Sequence, residues 1–324
     1  MKNEGRPLVS IIIPVKNGDS WLPQTLPALL NQTLADQTEI IVIDSGSTDN
    51  TLSILSQFPI RVINISPETF NHGTVRNLGA AEATGRYVVM TVQDARPADE
   101  KWLEKLLAGF NDPGVAGVCG QQVVSHDTDK NPVAWFRPQA DPAMIKYSFK
   151  HPQDFDALAP GEKKRVCSWD NVNAAYRRDI LLKIPFQKVS FAEDALWARD
   201  VIRSGYSLVY NSAARVYHYH FETPDFTFRR HFTVYYHFYR LFDVKPSGYS
   251  NELVHVLKNL KLLVGENQLS WKQRWKWLRY NHYYRKAVNK AVKGFHDALQ
   301  RGDAVLTSTH SEICDNPPQA LKPV

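Results

Sequence analysis

Three short apolar runs in the first 95 residues constrain this chain more than any other feature: Val9–Val15, Glu39–Asp44 and Tyr87–Val92. Each is rich in β-branched residues and bounded by turn formers, the pattern of a strand buried on both faces in a parallel sheet. The second run ends on Asp44, and the third passes through Gln93 to Asp94 before Pro97 stops it. In open α/β sheets, ligands gather outside the carboxyl ends of the strands. Asp94 therefore stands where a divalent metal carrying a diphosphate would sit. Capping the helix after Pro97 is the other role open to it.

The segments between these runs complete a repeating unit. A helix is expected over Trp21–Gln32, with Pro23 in its first turn and Pro27 as an interruption. Ser45–Asp49 is turn chemistry, with Ser47 or Asp49 as cap for a helix over Asn50–Gln57. Ile60–Ile65 reads as a short third strand. Strand, helix, strand, helix, strand makes a Rossmann-like half with right-handed crossovers. No GxGxxG or GxxxxGK[ST] occurs, which disfavours a dehydrogenase-type dinucleotide fold and excludes a P-loop. Phosphates are then expected at Phe70–Gly79, where Gly73 frees the backbone and Arg76 offers a charged fork. A helix over Thr74–Thr84 would add its N-terminal amides; a surface loop with a solvated arginine is the alternative.

Further along, an amphipathic helix is expected over Trp102–Phe110 and a strand over Val115–Gln121. The Pro-, Asp- and Lys-rich stretch His126–Lys164 is long for an unstructured connection, and reads as a lid or acceptor loop. Trp169 and Asp170 offer a stacking face and a polar anchor for a sugar, although Trp169 suits a core equally well. A helix opens at Phe191–Arg199, runs to Ser204 and stops at Gly205. Glu193 and Asp194 in its first turn complement the helix dipole, which is reason enough for acids there. Short strands at Leu208–Tyr210 and Arg215–Tyr217 lead into His218-Tyr219-His220. Strand alternation would put both imidazoles on one face, to join Asp94 around a metal, bind the diphosphate, or simply pack.

Charge is unevenly placed. The net charge is +6, yet residues 223–301 alone hold 15 Lys and Arg against 5 Asp and Glu. Aromatic residues recur at helical intervals from Phe226, another helix follows over Leu253–Val264, and Ser270 caps a long one from Trp271 to about Gln300. Basic helices with aromatic girdles suit a membrane interface; no nucleic-acid reader motif accompanies the charge, so nucleic acid is not expected as a partner. Packing of the aromatic stripe is expected alongside docking of the basic face. The segment 303–324 is expected to lack order. No run of about 18 apolar residues marks a transmembrane helix, the polar Met1–Pro7 is not a signal peptide, and Cys119, Cys167 and Cys314 read as reduced thiols of a cytosolic protein.

In this order, SIIIPVKN, IIVIDSGSTDNT, RNLGAAEATGRYVVM and the Gln93-Asp94-Ala95 triplet resemble family 2 glycosyltransferases. The resemblance implies a GT-A fold: a Rossmann-like mixed, mostly parallel sheet with flanking helices over 1–222, followed here by a basic helical module over 223–302. It places Asp44 against the nucleobase or ribose, with Pro14, Lys16, Ser45, His72, Arg76 and Gln93 as further nucleotide-sugar contacts. Asp94 matches the metal-holding acid, with His218 and His220 beside it, and the metal implied is Mg2+ or Mn2+. One carboxylate replaces the family's acid pair, which weakens the grip on a cation. Asp194 matches the general base of an inverting displacement; Trp169, Asp170 and Glu193 fall at the acceptor. The FNHGTVRN, VQDA and YHYHF variants are similar to the rhamnosyltransferase branch, implying dTDP-β-L-rhamnose as donor and a surface glycan, or a lipid-linked one, as acceptor at the inner face of the cytoplasmic membrane. A UDP-hexose or UDP-N-acetylhexosamine donor and a non-catalytic nucleotide-sugar scaffold are the competing expectations.

Overall fold

A computed structural model describes residues 5–135, 141–249 and 251–314. Two compact units result, one from 5–123 with 141–218 and the other from 124–135 with 219–314.

The first unit is built on a nine-stranded sheet. Its strands are β1 (Val9–Val15), β2 (Thr38–Asp44), β3 (Arg61–Asn64), β4 (Tyr87–Met90), β5 (Arg96–Pro97), β6 (Val115–Val123), β7 (Met144–Tyr147), β8 (Ala174–Arg177) and β9 (Ser207–Tyr217). The order is β3-β2-β1-β4-β8-β6-β9-β5, with β7 also on β9. Strands β3, β2, β1, β4, β6 and β9 run one way and β8, β5 and β7 oppose them, so the sheet is mixed and mostly parallel. β1 lies centrally, with Val9, Ile11, Ile12 and Ile13 fully buried, as expected for a strand covered on both faces.

Flanking helices are α1 (Leu22–Leu30), α2 (Thr51–Leu55), α3 (His72–Glu82) and α4 (Trp102–Leu107). α1 tolerates Pro27 because Leu22, Leu26 and Leu29 bury its inner face. α3 starts two residues before the expected position because Asn71 caps it, its Oδ1 accepting from the Gly73 and Thr74 amides at 3.1 and 3.2 Å. The glycines of this segment serve close packing. A Cβ on Gly79 would meet Ile12 Cγ2 at 2.4 Å, and one on Gly73 would meet the Gln187 carbonyl oxygen at 2.4 Å.

The stretch expected as one long loop contains structure: α5 (Pro132–Trp135), strand β7, α6 (Pro152–Asp156) and α7 (Pro160–Val166). Residues 136–140 lie outside the described residues. The helices of the first unit are completed by α8 (Arg178–Lys183) and α9 (Glu193–Arg203). The two short strands expected at 208–217 are one strand, β9, whose pairing with β6 slips between Cys119 and Gln121. Gly120 sits at that slip, where a Cβ would collide with the Ala214 carbonyl oxygen at 2.3 Å. Because β9 ends at Tyr217, strand alternation does not extend to His218 and His220.

The second unit consists of α5 with α10 (Pro224–Phe242), α11 (Glu252–Gly265), α12 (Trp271–Gln300) and α13 (Asp303–Cys314). The stripe of α12 is interior, with Trp277, Ala291 and Phe295 at 0% exposure. α13 departs from the expectation of disorder over its own residues, 303–314: Leu306 and Cys314 bury against Phe232 and Phe295, and His310 stacks on Tyr236 at 4.0 Å. Residues 315–324 lie outside the described residues. No described helix is long and apolar enough to cross a membrane.

Candidate active site

Strands β2, β1 and β4 are adjacent and parallel, so their carboxyl-terminal loops share one edge of the sheet. These loops are laced together. The Asn17 amide donates to Ser47 Oγ at 2.8 Å, the Gly18 amide to Thr51 Oγ1 at 2.7 Å, and the Thr48 amide to Asn17 Oδ1 at 2.9 Å. Gln93 joins the β4 loop to the β1 loop by accepting from the Lys16 amide at 2.9 Å and donating to the Lys16 carbonyl at 3.2 Å. The Lys16 side chain is exposed and Pro14 is half-buried inside β1. Asp44 is buried; its Oδ2 accepts from the Gly46 and Ser47 amides, each at 3.0 Å, and its Oδ1 from the Ser47 hydroxyl. Ser45 turns inward, donating Oγ to the Val15 carbonyl at 3.1 Å. Asp44 and Ser45 thus shape the loop, while Lys16 faces the solvent side of the same edge.

Asp94 lies four residues beyond the end of β4, in a turn, because the strand stops at Met90, short of the end of the apolar run. His218 Nε2 stands 3.6 Å from Asp94 Oδ1, too far for a hydrogen bond and close to the spacing of two ligand atoms on one cation. The ring orientation of His218 follows from its neighbours. The carboxylate of Asp170 can only accept, so Gln122 directs its amide nitrogen there and its Oε1 at His218 Nδ1, 2.6 Å away. Nδ1 then donates to Gln122 and Nε2 is the ring atom turned toward Asp94, the orientation that second-shell partners impose on metal-binding histidines. His220 is tethered two residues beyond His218; among the described residues, Asp94, His218 and His220 offer ligand atoms all within 4.8 Å of one another. Carboxylate plus neutral imidazole is a donor set that suits Mn2+ and is less typical of Mg2+. The residues present fit such an ion.

Asp170 connects this corner to a second group of acids. Its Oδ1 accepts from the Val172 amide at 2.9 Å, and its charge helps raise the pKa of Asp194. Asp194 stands in the first turn of α9, just after Ala192, which takes up the left-handed conformation with φ 62°. Burial, then the charges of Glu193 and Asp170, push the Asp194 carboxyl up to about 8, opposed by the Ala195 amide and by Arg76.

Glu193 belongs to an interior network. Its Oε1 accepts from Arg76 Nη1 at 2.9 Å and Asn171 Nδ2 at 3.1 Å; Tyr176 donates to Asn171 Oδ1, and Trp169 Nε1 to the Tyr176 hydroxyl at 2.7 Å. The choice left open at Trp169 resolves to packing: it is 8% exposed and lies 5.7 Å from Trp197, ring centre to ring centre. Arg76 is only 4% exposed and pairs with Glu193, which differs from the solvent-facing phosphate fork expected of it. Burial and the Arg76 charge lower the pKa of His72, whose Nδ1 lies 3.3 Å from Arg76 Nη1. Sequence reasoning missed Gln122, Asn171 and Tyr176. Gln121-Gln122 closing an otherwise apolar strand was the available signal.

The arrangement pairs a candidate cation site with a carboxyl group whose pKa is raised, the two linked through His218, Gln122 and Asp170. The Glycosyl transferase family 2 model matches residues 10–184. The O-antigen chain rhamnosyltransferase RfbN of Salmonella typhimurium is 35% identical over 228 residues, which is 69% of this chain and 70% of that protein. WbaN of Salmonella anatum, also an O-antigen chain rhamnosyltransferase, is 35% identical over 70% of each chain. Among solved structures, the mannosyltransferase PcManGT from Pyrobaculum calidifontis, in complex with GDP-Man and Mn2+, superposes with a TM-score of 0.51 at 19% identity, covering 97% of this chain and 82% of that one. That likeness bears on the fold alone, and agrees with the mixed sheet and C-terminal helices described above. The chain belongs to glycosyl transferase family 2 and is a glycosyltransferase.

Proposed function

We propose that this glycosyltransferase moves L-rhamnose from dTDP-β-L-rhamnose to a hydroxyl of a surface glycan such as an O-antigen, with inversion, at the inner face of the cytoplasmic membrane. The two rhamnosyltransferase relatives support the sugar and the acceptor class. The observation that supports the mechanism is the place of Asp194 in the first turn of α9, next to the buried Glu193, where burial and the charges of Glu193 and Asp170 push its carboxyl up to about 8. A base with a pKa near the working pH is the efficient compromise between being ionised and being able to take a proton.

In the step, the acceptor hydroxyl oxygen attacks the anomeric carbon and its proton passes to Asp194. The bond from that carbon to the diphosphate oxygen breaks, and dTDP leaves with the electron pair. Glu193, fixed by Arg76 and Asn171, is a positioning residue that keeps the first turn of α9 in place. Asp94, His218 and His220 would hold Mn2+ or Mg2+, which when bound supplies positive charge for the departing diphosphate. Lys16, on the same loop edge, is the cationic side chain within the nucleotide region. The basic residues of 223–302 would keep the enzyme on anionic lipid near a lipid-linked acceptor.

Donor turnover across dTDP-rhamnose, UDP-hexoses and UDP-N-acetylhexosamines tests the sugar; a preference for a UDP donor ends the rhamnose reading. Asp194→Asn should lower kcat by roughly 10²–10⁴-fold with donor affinity nearly unchanged. Turnover at the wild-type rate would remove Asp194 from its role.

A further inference from the structure

Resting on the membrane reading above, and narrowing it, we infer that the element entering the lipid is the outer face of α11 together with the first turns of α12. Nine of the 14 large hydrophobic side chains exposed among the described residues fall between Tyr249 and Tyr283. Leu253, Leu257, Leu260 and Val264 are 67, 57, 41 and 47% exposed. Their spacing of four, three and four residues draws one straight stripe along α11. The opposite side of α11 is the packed one: Leu263 is buried, His255 Nδ1 lies 3.4 Å from Arg285, and Asn289 donates to Glu252 at 3.3 Å. The stripe therefore faces away from α12.

At the turn between the helices, Trp271 and Trp275 are 66 and 67% exposed. With Leu260, Val264 and Leu278 they border an open apolar groove. Exposed Lys258 and Lys261 flank the stripe, and exposed Lys272, Lys276 and Arg279 follow on α12. Arg274 stacks over the Trp271 ring at 4.8 Å. Aliphatic side chains in line, tryptophans at one end and lysines along the margin are what a bilayer interface accommodates: acyl chains take the leucines, the carbonyl layer takes the indoles, and anionic headgroups take the ammonium groups. The aromatic stripe of α12, though richer in rings, is interior and does not compete for this role.

The full-length protein is tested on phosphatidylcholine vesicles with and without 30% phosphatidylglycerol. Wild-type protein should sediment with the anionic vesicles, and brominated acyl chains should quench a fluorescence component that disappears in Trp271→Phe/Trp275→Phe. Replacing Leu253, Leu257, Leu260 and Val264 with serine should weaken partitioning by about 100-fold or more, while transfer to a soluble acceptor stays at the wild-type rate. Lys258→Glu/Lys261→Glu should abolish the preference for phosphatidylglycerol. If wild-type protein binds vesicles and the serine variant binds equally well, this inference falls and the broader membrane reading stands. If wild-type protein binds no vesicle, both fall. If the serine substitutions dissociate a dimer and leave partitioning unchanged, the stripe is a protein–protein surface and the inference is overturned.

Discussion

At Asp194 the folded protein holds a proton more tightly than the unfolded chain would, since the carboxyl rises from 3.8 to about 8. Stability from that proton is fully present below the unfolded value and is lost as pH climbs through the folded one. Asp194→Asn keeps a neutral group of the same shape, so its melting temperature should fall less between about pH 5 and about pH 9 than that of the wild type. In the same enzyme, kcat/KM should rise toward pH 8 as the base ionises; a profile flat from about pH 6 to about pH 9 would exclude this group as the proton acceptor. Gln122 makes a separate claim. Losing its Oε1 releases His218 to rotate or change tautomer, so Gln122→Leu should weaken Mn2+ binding by about 10–100-fold in titration calorimetry. Unchanged affinity would mean that Gln122 does not orient the imidazole. Asp94 and Asp194 were visible in the sequence as acids at motif positions. Asn171 and Tyr176 were not, because their roles come from a network closed by Glu193 and Arg76 from other parts of the chain, and the Gln121-Gln122 pair hinted at Gln122 without naming its partners.

Elements with a strong local signature were legible. β1, β2 and β4 announce themselves as apolar runs, and the long helix is framed by Ser270, whose hydroxyl accepts from the Gln273 amide. What failed were elements defined by partners far away. β7 is four residues long, mostly exposed and set in a Pro-, Asp- and Lys-rich stretch, and exists because it pairs with β9. β9 reads as two strands in the sequence because the slipped residues between Tyr210 and Arg215 break the alternation. A guanidinium beside Gly73 at a helix start reads as a phosphate fork whether it meets an anion outside or, as Arg76 does, Glu193 inside. The contact between α3 and the sheet carries its own test. Gly79→Ala would drive a methyl group to 2.4 Å from Ile12 Cγ2 and push the helix off β1. Urea denaturation should show a loss of about 1–3 kcal/mol, where a helix-propensity argument alone would forecast a gain from replacing glycine.

At the scale of the whole molecule, the composition shift near residue 223 pointed to a second unit, but not to its full membership. Residues 124–135 join it from the middle of the chain, with Trp135 and Trp277 in one cluster and Asn131 and Asn281 exchanging amide hydrogen bonds at 2.9 and 3.0 Å. The last described helix belongs to it as well, against the expectation of a frayed end. Those two pictures differ in what truncation does. Were residues 303–324 a solvated tail, a chain ending at Gly302 would melt like the full protein. The structure instead has Leu306 at 0% exposure in a cluster with Phe232, Ala291 and Phe295, and Asp303 paired with Arg240. Removing α13 uncovers that cluster and deletes a fully buried leucine, a loss of roughly 1.5–3 kcal/mol from this side chain alone. Hydrogen exchange should then show faster opening in α10 and α12, with β1, β2 and β4 of the other unit unaffected. Protection in α10 and α12 identical to the full-length chain would return the segment to the status of a tail.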